Sequence, residues 1–412
     1  MSIKVCDAIM GSGKSSATIT YINEHLEEKF IYITPYLEEA ERIKLGCPLA
    51  HFVEPSNKLP QYDFKKTTHT MALIKEGRNI TTTHQAFKRY TQETLDMIRN
   101  QGYILFIDEN VEVLEPFEFH PDDLQIAVDA GYIKEENGIY SLARDDYKGG
   151  VLSEMFSLLR SRELIRMGDA DNRLYYWALP PNLLTSFRDV YIMTYLFDGQ
   201  SLHHFMKIYD IPYSFIGIEK CGQGKYRFGS APGYIPEYVS RINDKIHIIE
   251  GRINDIGDNR TALSLSWFNK GGVKVIQLKK NLSNVYNNLW RGQAADERMW
   301  GTFNKGYNLI KGKGYSKSFL SFNTKATNKY RDKHYLVYAV NIFMNVNEKK
   351  FYNMHGIDVD EDAYALSIMV QWIWRSAIRD EEEIYIYIPS KRMRDILKEW
   401  MNEMSTKGIR NE

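Results

Sequence analysis

A short glycine-bearing segment near the start of the chain has the residue types that hold phosphate groups. It reads Ala8-Ile9-Met10-Gly11-Ser12-Gly13-Lys14-Ser15, with Ser16 behind it. The two glycines allow backbone N–H groups to turn toward a β- or γ-phosphate, and the helix that follows points its positive end there. Lys14 would neutralise phosphate charge, and the Ser15 hydroxyl would complete the shell of Mg²⁺. Residues 10–16 are therefore predicted to bind phosphate; the alternative is a Gly-Ser-rich turn that only opens a helix.

Two adjacent carboxylates, Asp108 and Glu109, follow an apolar run that begins at Tyr103. Such a run is typical of a strand that is covered on both faces of a parallel sheet. Asp108 would hold Mg²⁺, directly or through a water, and Glu109 would polarise an attacking water. The alternative is that the two acids simply cap the strand and start a turn.

Three polar residues near the C-terminus, Gln371, Arg375 and Arg379, are spaced four residues apart on an otherwise apolar segment. On a helix they would share one face, and a stripe that ends in two arginines needs anionic partners. One interpretation is surface salt bridges with residues 380–383. The other is that the arginines reach the γ-phosphate across a domain cleft, as arginine fingers do.

The elements that position these residues alternate between strand and helix in the first part of the chain. Apolar runs at 3–6, 30–35, 79–83, 103–109 and 190–194 are separated by helix-compatible segments. This order predicts an α/β doubly wound domain over 1–199, with its functional residues at the carboxyl ends of the strands. Residues of about 112–187 break the alternation and are expected to be an insertion, with a helix over 151–165 and a small hairpin.

A second domain is predicted over 200–412. Strand candidates are 245–250, 273–278, 318–322, 334–340 and 383–388, and helix candidates are 282–290 and 362–379. Residues 306–317 are rich in Gly and Lys and are expected to be a loop. Such a loop is either a solvated turn or a contact with a nucleic-acid backbone.

Composition excludes several classes of protein. The 412 residues are 43% hydrophobic and 26% charged, as in an ordinary globular protein. Lys+Arg and Asp+Glu balance at 53 each, so no global basic field favours nucleic acid, although a local groove is compatible with this balance. The three cysteines lack paired metal spacing, and the sequence shows neither a signal peptide nor an apolar run of membrane length. We therefore predict a cytoplasmic protein without disulfides, in the host cytoplasm if it is phage-encoded.

Taken in order, the motifs resemble those of superfamily 2 helicase-type ATPases over nearly the whole chain. Ala8 to Ser15 matches the first motif, A-x-x-G-x-G-K-S/T, and Asp108-Glu109-Asn110-Val111 stands where D-E-A-D or D-E-x-H is expected. Met193-Thr194-Tyr195 lies at the place of S-A-T or T-A-T. Residues 371–379 resemble the last motif, Q-x-x-G-R-x-x-R, with Trp374 in place of its Gly. The resemblance implies ATP with Mg²⁺ as cofactors and catalytic roles for Glu109, Gln371, Arg375 and Arg379.

Other motifs of this family contact nucleic acid. Tyr32-Ile33-Thr34-Pro35 resembles its strand-ending T-P motif, and Thr83-His84 resembles its T-H motif. The segment that begins at Thr324-Lys325 occupies the place of the motif that contacts ribose and nucleic acid. The resemblance therefore implies nucleic-acid contacts at Thr34, Pro35, Thr83, His84, Thr324 and Lys325.

The resemblance also implies a fold and a function. The expected fold is two RecA-like doubly wound parallel-sheet domains with ATP in the cleft between them. The expected activity is an ATP-dependent translocase or helicase on DNA, or on RNA, that works with replication or recombination proteins of a phage or mobile element, without a membrane partner. One alternative is a slow ATPase that acts as a nucleic-acid-binding adaptor or loader. Another is a packaging-terminase motor, which would need a C-terminal nuclease with clustered acids.

Overall fold

The computed structural model describes residues 1–147, 149–167, 174–222, 224–230, 236–324 and 329–409. The chain divides into two compact units. The first consists of Met1–Ala8, Gly13–Gly233 and Asn347–Val359, and the second consists of Ile9–Ser12, Tyr234–Val346 and Asp360–Glu412. Among the helices of the described ranges, none is both long enough and apolar enough to cross a membrane.

Strands and helices alternate along much of the chain. The strands are β1 (Ser2–Asp7), β2 (Phe30–Thr34), β3 (Ile80–Thr83), β4 (Ile104–Asp108), β5 (Leu114–Pro116), β6 (Ile133–Glu136), β7 (Ile139–Leu142), β8 (Glu163–Met167), β9 (Leu174–Ala178), β10 (Asp189–Thr194), β11 (Ser214–Gly222), β12 (Lys225–Gly229), β13 (Ile246–Ile248), β14 (Arg298–Gly301), β15 (Tyr335–Tyr338) and β16 (Ile384–Tyr387). The α-helices are α1 (Lys14–Glu24), α2 (Leu37–Gly46), α3 (Lys66–Lys75), α4 (His84–Phe87), α5 (Gln92–Gln101), α6 (Pro121–Asp129), α7 (Ser153–Leu159), α8 (Asn182–Thr185), α9 (Ser201–Ile208), α10 (Ile242–Lys245), α11 (Leu265–Lys270), α12 (Val273–Asn284), α13 (Asn304–Ile310), α14 (Val346–Met354), α15 (Glu361–Ile373) and α16 (Lys391–Ile409).

The first unit is built on a seven-stranded sheet with the order β12-β11-β1-β10-β4-β2-β3. All neighbours in it are parallel except β11 and β12, which form an antiparallel pair. Every residue of β2 and β4 is buried, as expected for strands that are covered on both faces. Parallel pairing places the carboxyl ends of β1, β10, β4, β2 and β3 at one edge of the sheet. The predicted site residues of the first unit lie at or directly after these strand ends.

The last hairpin of this sheet, β11–β12, is anchored by an aromatic cluster. The ring of Phe228 in β12 stacks on Phe106 of β4 with a centroid distance of 6.3 Å, and it lies 5.1 Å from the ring of Tyr191 in β10. Tyr21 of α1 contacts the same three rings. Aromatic pairs at these distances add to the hydrophobic burial, so β12 is fixed against α1 and the sheet.

Residues 112–187 hold a separate antiparallel sheet with the order β5-β9-β8-β7-β6. Helices α6 and α7 pack on it through a core that includes Leu124, Phe156 and Trp177. The insertion predicted within the first domain is therefore present, but it contains more strand than expected. Residues 151–165, expected as one helix, are divided between α7 and β8.

The second unit has a four-stranded parallel sheet with the order β13-β16-β15-β14. Its core is rich in large aromatic side chains, including the fully buried Trp300 and Tyr286. The predicted α/β class, with parallel-sheet domains and an insertion in the first, is thus confirmed. The boundary between the units lies near 233 and not at 199, because β11 pairs with β1 and keeps residues 214–222 in the first sheet.

Several expected elements of the second unit take another form. Residues 273–278, expected as a strand, begin α12, because Val275, Leu278 and Leu282 repeat at helical spacing and are all buried. Residues 318–322, also expected as a strand, contribute an isolated bridge from Phe319 to Trp300. Residues 306–317, expected as a loop, include most of α13.

Candidate nucleotide-binding site

The predicted phosphate loop connects β1 to α1. Gly11 and Gly13 have φ angles of +82° and +97°, in the left-handed region that glycine adopts without strain. The N–H of Ser12 donates to the carbonyl of Ile9 at 3.3 Å, and the N–H of Ala17 donates to Gly13 at 2.8 Å, which starts the helix. Gly13 is the N-cap of α1 and provides no side chain to cap its N–H groups. The loop therefore has the backbone form that anion binding at a helix N-terminus requires.

Lys14, the first residue of α1, is half-buried and turns back over the loop. Its Nζ donates to the carbonyl oxygen of Ala8. Burial lowers the pKa of this ammonium, while the nearby Cys6, Asp108, Asp7 and Glu109 act in the opposite direction. Lys14 is thus close enough to both predicted catalytic carboxylates to sense their charge.

Asp108 is the last residue of β4, and its side chain is buried. Burial, and next the charges of Glu109 and Glu39, raise the pKa of this carboxyl to about 8. The Thr34 hydroxyl donates to Oδ2 at 3.3 Å and acts against this rise. A carboxyl in this environment favours the neutral form at pH 7, and a bound cation would favour the ionised form.

Glu109 leaves the strand in an unusual backbone conformation. Its φ is +64°, which few residues other than glycine adopt. Its N–H donates to the carbonyl of Met193 in the neighbouring strand β10 at 3.0 Å, which holds the turn in place. The half-buried side chain therefore follows the buried Asp108 at a fixed turn. Backbone strain of this kind often occurs at functional sites.

Two residues predicted to contact nucleic acid form hydrogen bonds with Asp108. Thr34 is fully buried and donates to the Asp108 carboxyl. Nε2 of the buried His84 lies 2.8 Å from the Asp108 carbonyl oxygen, which requires that this nitrogen carry the proton. Thr83 is half-buried, and its hydroxyl accepts the N–H of Ala86 as the N-cap of α4. Pro35 is half-buried.

The end of β10 is joined to the loop by contacts that sequence reasoning missed. The Thr194 carbonyl accepts the N–H of Ala8 at 3.0 Å. The carboxylate of Asp7, just before the loop, accepts the N–H groups of Leu196 and Phe197 at 2.7 and 3.0 Å. Burial raises the pKa of Asp7, and these two hydrogen bonds oppose the rise. An acidic residue at the end of an apolar strand was the sequence signal, but its partners are far away along the chain.

Tyr226 of β12 packs directly on the phosphate loop. A Cβ atom built on Gly13 would lie 2.5 Å from Cγ and Cδ1 of the Tyr226 ring, closer than real side chains approach. Tyr226 and the anchored Phe228 are two residues apart on one strand and therefore face the same side. The sequence offered no signal for this contact, because it joins residues more than two hundred positions apart.

The stripe of Gln371, Arg375 and Arg379 does not share one helical face, which corrects the prediction. Helix α15 ends at Ile373, and a 3₁₀ turn follows at Ala377–Asp380. The Ser376 hydroxyl donates to the Ile373 carbonyl at 2.6 Å and satisfies a helix-terminal acceptor. Gln371 is half-buried on the helix, Arg379 is half-buried in the 3₁₀ turn, and Arg375 lies buried between them.

Arg375 lies near Tyr338 of β15. Burial raises the pKa of the Tyr338 hydroxyl, and the Arg375 cation opposes that rise. Two of the acids expected to form surface salt bridges with the arginine stripe have partners elsewhere in the second unit. Asp380 pairs with Arg331, and Glu382 pairs with His334 at 3.1 Å. Thr324 is half-buried in a turn, with its N–H donating to Ser321, and Lys325 lies outside the described residues.

The described residues hold no group of three or more His, Cys, Asp or Glu side chains arranged for a metal ion. A Mg²⁺ ion that arrives with a nucleotide takes only one or two protein ligands, since phosphates and waters fill the other positions. The residues predicted to hold such an ion are Ser15, the second residue of α1, and Asp108, the last residue of β4. The buried hydroxyl of Ser12 has no hydrogen-bond partner among the described residues.

The fold is of the α/β class, with a glycine-bearing loop after β1 and an acidic pair at the end of β4. The chain is 35% identical over 408 residues to the SPbeta prophage-derived uncharacterized protein YonV of Bacillus subtilis strain 168, with 97% of this chain and 98% of that protein covered. Residues 240–401 match the family model of the YonV C-terminal Rossmann-like domain. The chain therefore belongs to the YonV family.

Solved structures that are similar to this one include S. tokodaii Xpd4 and an apo XPD structure. The first has a TM-score of 0.47 and 12% sequence identity, and the match covers 97% of this chain and 94% of the Xpd4 chain. The second has a TM-score of 0.43 and 11% sequence identity, and the match covers 96% of this chain and 95% of the XPD chain.

Proposed function

We propose that this protein is an ATP-dependent translocase or helicase of the superfamily 2 type that moves on or remodels nucleic acid. The observation that carries the proposal is the convergence of Lys14, Asp108 and Glu109 at the carboxyl ends of β1 and β4. The Lys14 ammonium donates to the carbonyl of Ala8, and the N–H groups of Ala8 and Glu109 donate to Thr194 and Met193 at the end of β10, the strand between β1 and β4. Phosphate binding, Mg²⁺ binding and activation of water need these three groups in one place.

The chain's own residues divide the chemistry of ATP hydrolysis. Lys14 exchanges the Ala8 carbonyl for phosphate oxygens, and the loop N–H groups bind the same phosphates. Ser15 and Asp108 hold Mg²⁺, which supplies neutralisation of the phosphate charge when it is bound. Glu109 orients a water toward the γ-phosphorus and accepts a proton from that water. The bond between the γ-phosphorus and the oxygen that it shares with the β-phosphate breaks, and ADP leaves. Arg375 stabilises the charge that develops on the transferred group.

The resemblance of the motifs to those of superfamily 2 supports a nucleic-acid substrate. A relative that is prophage-derived favours a role on the DNA of a phage or mobile element, together with replication or recombination proteins. DNA is the nucleic acid that we favour as the substrate, and RNA is the alternative. A protein of this kind works in the cytoplasm of the host.

The decisive experiment is the ATPase rate of the purified protein with single-stranded DNA, duplex DNA, RNA or no polynucleotide. We expect at least one polynucleotide to raise the rate, and Lys14→Ala to abolish it. Lys44→Ala is the matched control, because it removes a lysine of α2 that pairs with Glu41 at 3.4 Å. A polynucleotide-independent rate, or a rate that survives Lys14→Ala, would contradict the proposal.

A second candidate, a slow ATPase that loads or adapts other proteins on nucleic acid, is favoured by the residues after Glu109. Asn110 and Val111 replace the last two residues of the D-E-A-D pattern, and Val111 is buried in the core. This departure from the motif weakens the expected coupling between hydrolysis and movement. Binding to DNA with a steep salt dependence, but without stimulation of hydrolysis, would identify the adaptor.

A further inference from the structure

One stretch of the second unit carries a strong excess of positive charge. Between Leu265, where α11 begins, and Ser318, the sequence has ten lysines and arginines but only two acids, Asp296 and Glu297. This stretch contains α11, α12 and α13, and α13 packs against both other helices. The whole chain, by contrast, has a formal net charge of zero. The excess is therefore a local feature of these helices and not a property of the whole protein.

Helix α12 and the π-helical turn that continues it, Val285–Leu289, have a polar stripe along their outer side. Val275, Leu278 and Leu282 of this helix are buried in the aromatic core. The other side borders a shallow groove of about 500 Å³, which is lined by Ile276, Lys279, Lys280, Ser283, Asn284, Asn287 and Asn288. These seven residues recur every three or four positions, so they follow one line along the helix. We call this line of residues the α12 groove.

The loop that follows α13 packs on the C-terminal end of the α12 groove. The ring of Tyr315 in this loop stacks on the ring of Tyr286 in the π-helical turn, with a centroid distance of 4.9 Å. A Cβ atom built on Gly314 would lie 3.1 Å from Oδ1 of Asn287, which lines the groove. The exposed Lys313, next to Gly314 in the chain, therefore lies beside the end of the groove.

The lysines at this groove lack the acidic partners that cations on another helix of the same unit have. Lys279, Lys280 and Lys313 are exposed, and none of them forms an ion pair within the part of the chain that the structure describes. On α16, by contrast, Lys391 pairs with Asp395 at 2.5 Å. A helix face that only meets solvent commonly mixes charges of both signs, as α16 does. The α12 groove therefore favours an anionic partner.

We infer that the α12 groove, together with Lys313, binds the sugar-phosphate backbone of a nucleic acid. Lysine and asparagine side chains commonly contact phosphate and sugar oxygens, and such contacts do not depend on base sequence. Residues 276–288 extend about 18 Å along the helix, enough for about five phosphates of one strand. The apolar side of α12 is already used in the core, which disfavours insertion into a membrane surface. The inference rests on the proposed function and gives the strand a contact that lies wholly within the second unit.

The experiment measures the affinity of the full chain for a fluorescently labelled single strand and a labelled duplex over a range of KCl concentrations. The α12 variant, which combines Lys279→Gln and Lys280→Gln, should bind at least about tenfold more weakly at about 0.1 M salt, because two phosphate contacts are lost. It should also lower the slope of log affinity against log salt by about two, and Lys313→Gln should lower it by about one. The loss should be equal for strands of different base sequence.

A double variant of α16 is the matched control, because it removes the same number of charges from the same unit. It combines Lys391→Gln with Lys398→Gln, and Lys398 pairs with Glu250. This α16 variant should keep the wild-type affinity and salt slope. Lys14→Ala should lose hydrolysis but keep the salt slope, because Lys14 belongs to the first unit. The thermal unfolding midpoint of each variant checks that the fold is intact.

The failures of the two proposals differ. If wild-type protein binds nucleic acid and the α12 variant keeps the affinity and salt slope of the α16 variant, the α12 groove is excluded and the translocase proposal stands. If wild-type protein binds no polynucleotide, both proposals are overturned. Binding to phosphatidylserine vesicles that is lost in the α12 variant, without binding to either oligonucleotide, would assign the groove to a membrane surface and overturn the inference.

Discussion

At the scale of single residues, Lys14 and Glu109 make different contributions to one reaction. Lys14 binds phosphate, so Lys14→Ala should weaken binding of ATP and thereby abolish hydrolysis. Glu109 acts on water, so Glu109→Gln should abolish hydrolysis while ATP stays bound. Equilibrium binding of a fluorescent ATP analogue and the ATPase rate separate the two. Equal loss of nucleotide affinity in both variants would contradict this division of roles.

Asp108 gives a prediction for the pH dependence of stability. Its carboxyl has a pKa of about 8 in the folded protein against an ordinary value of 3.8. The folded state then holds more protons than the unfolded state between these values, so the free energy of unfolding falls as pH rises, by up to about 1.4 kcal/mol per pH unit. Asp108→Asn should remove this slope between about pH 6 and pH 8. Urea unfolding of both proteins at pH 6 and pH 8 checks this prediction. An equal change in the free energy of unfolding between the two pH values in both proteins would contradict it.

At the scale of elements, the β11–β12 hairpin restricts the phosphate loop through Tyr226. Gly13→Ala should cost about 1–2 kcal/mol from its left-handed φ and about 1–3 kcal/mol more from the clash with the ring. Gly102→Ala is the matched control, because Gly102 has a φ of +69° and nothing within 4 Å of an added Cβ. Tyr226→Ala should rescue Gly13→Ala to the level of the control. Additive effects of the two changes in denaturant unfolding would show that the ring and the glycine do not interact.

The insertion is fixed to α4 by a buried ion network. Glu115 of β5 binds Lys88 at 2.6 Å and also binds Arg162, and both cations are almost fully buried. Burial alone would raise the pKa of Glu115, but the two cations hold it below its usual value. Glu115→Gln removes the acid that pairs with Arg162 and the nearer of the two acids of Lys88, which keeps Glu112 at 3.9 Å. Loss of a buried pair of this kind should cost about 3–5 kcal/mol of stability.

The control for this network is Asp145→Asn, which breaks an exposed pair with Arg160 and should cost at most about 1 kcal/mol. The depressed pKa of Glu115 also means that its stabilisation is present at neutral pH and lost as the pH falls through that value. Glu115→Gln should therefore have less effect on the unfolding midpoint in acid than at pH 7. An equal effect at both would assign the loss to packing instead of charge.

At the scale of the whole molecule, hydrolysis should need both units. Lys14 belongs to the first unit, whereas Arg375 and residues Ile9–Ser12 of the phosphate loop belong to the second. The Arg375→Ala variant should bind ATP nearly normally and hydrolyse it at least about 10³-fold more slowly. Other phosphoryl-transfer enzymes lose rate to this extent when such an arginine is absent. Arg379→Ala should be milder, and Arg331→Ala, which removes the exposed partner of Asp380, should leave the rate unchanged. Single-turnover kinetics with saturating ATP measure each rate, and a normal rate for Arg375→Ala would exclude the role.

The amino-acid sequence alone determined the elements whose signal is local. The strands β1, β2, β4 and β10 follow from short apolar runs, and the loop after β1 follows from glycine spacing, because each depends on residues next to one another. The acidic pair at the end of β4 was found for the same reason. The α/β class and the insertion followed from the alternation of these runs and from its interruption.

Only the tertiary structure decided which distant residues meet. The packing of Tyr226 on Gly13, the hydrogen bonds of Asp7 to residues 196 and 197, and the burial of Thr34 against Asp108 each join separate elements. The end of α15 before Arg375 likewise depends on the Ser376 hydroxyl and on pairing of Ala377 with Lys333, which helical spacing does not encode. Sequence periodicity describes one element at a time, whereas a site is made where the ends of several elements converge.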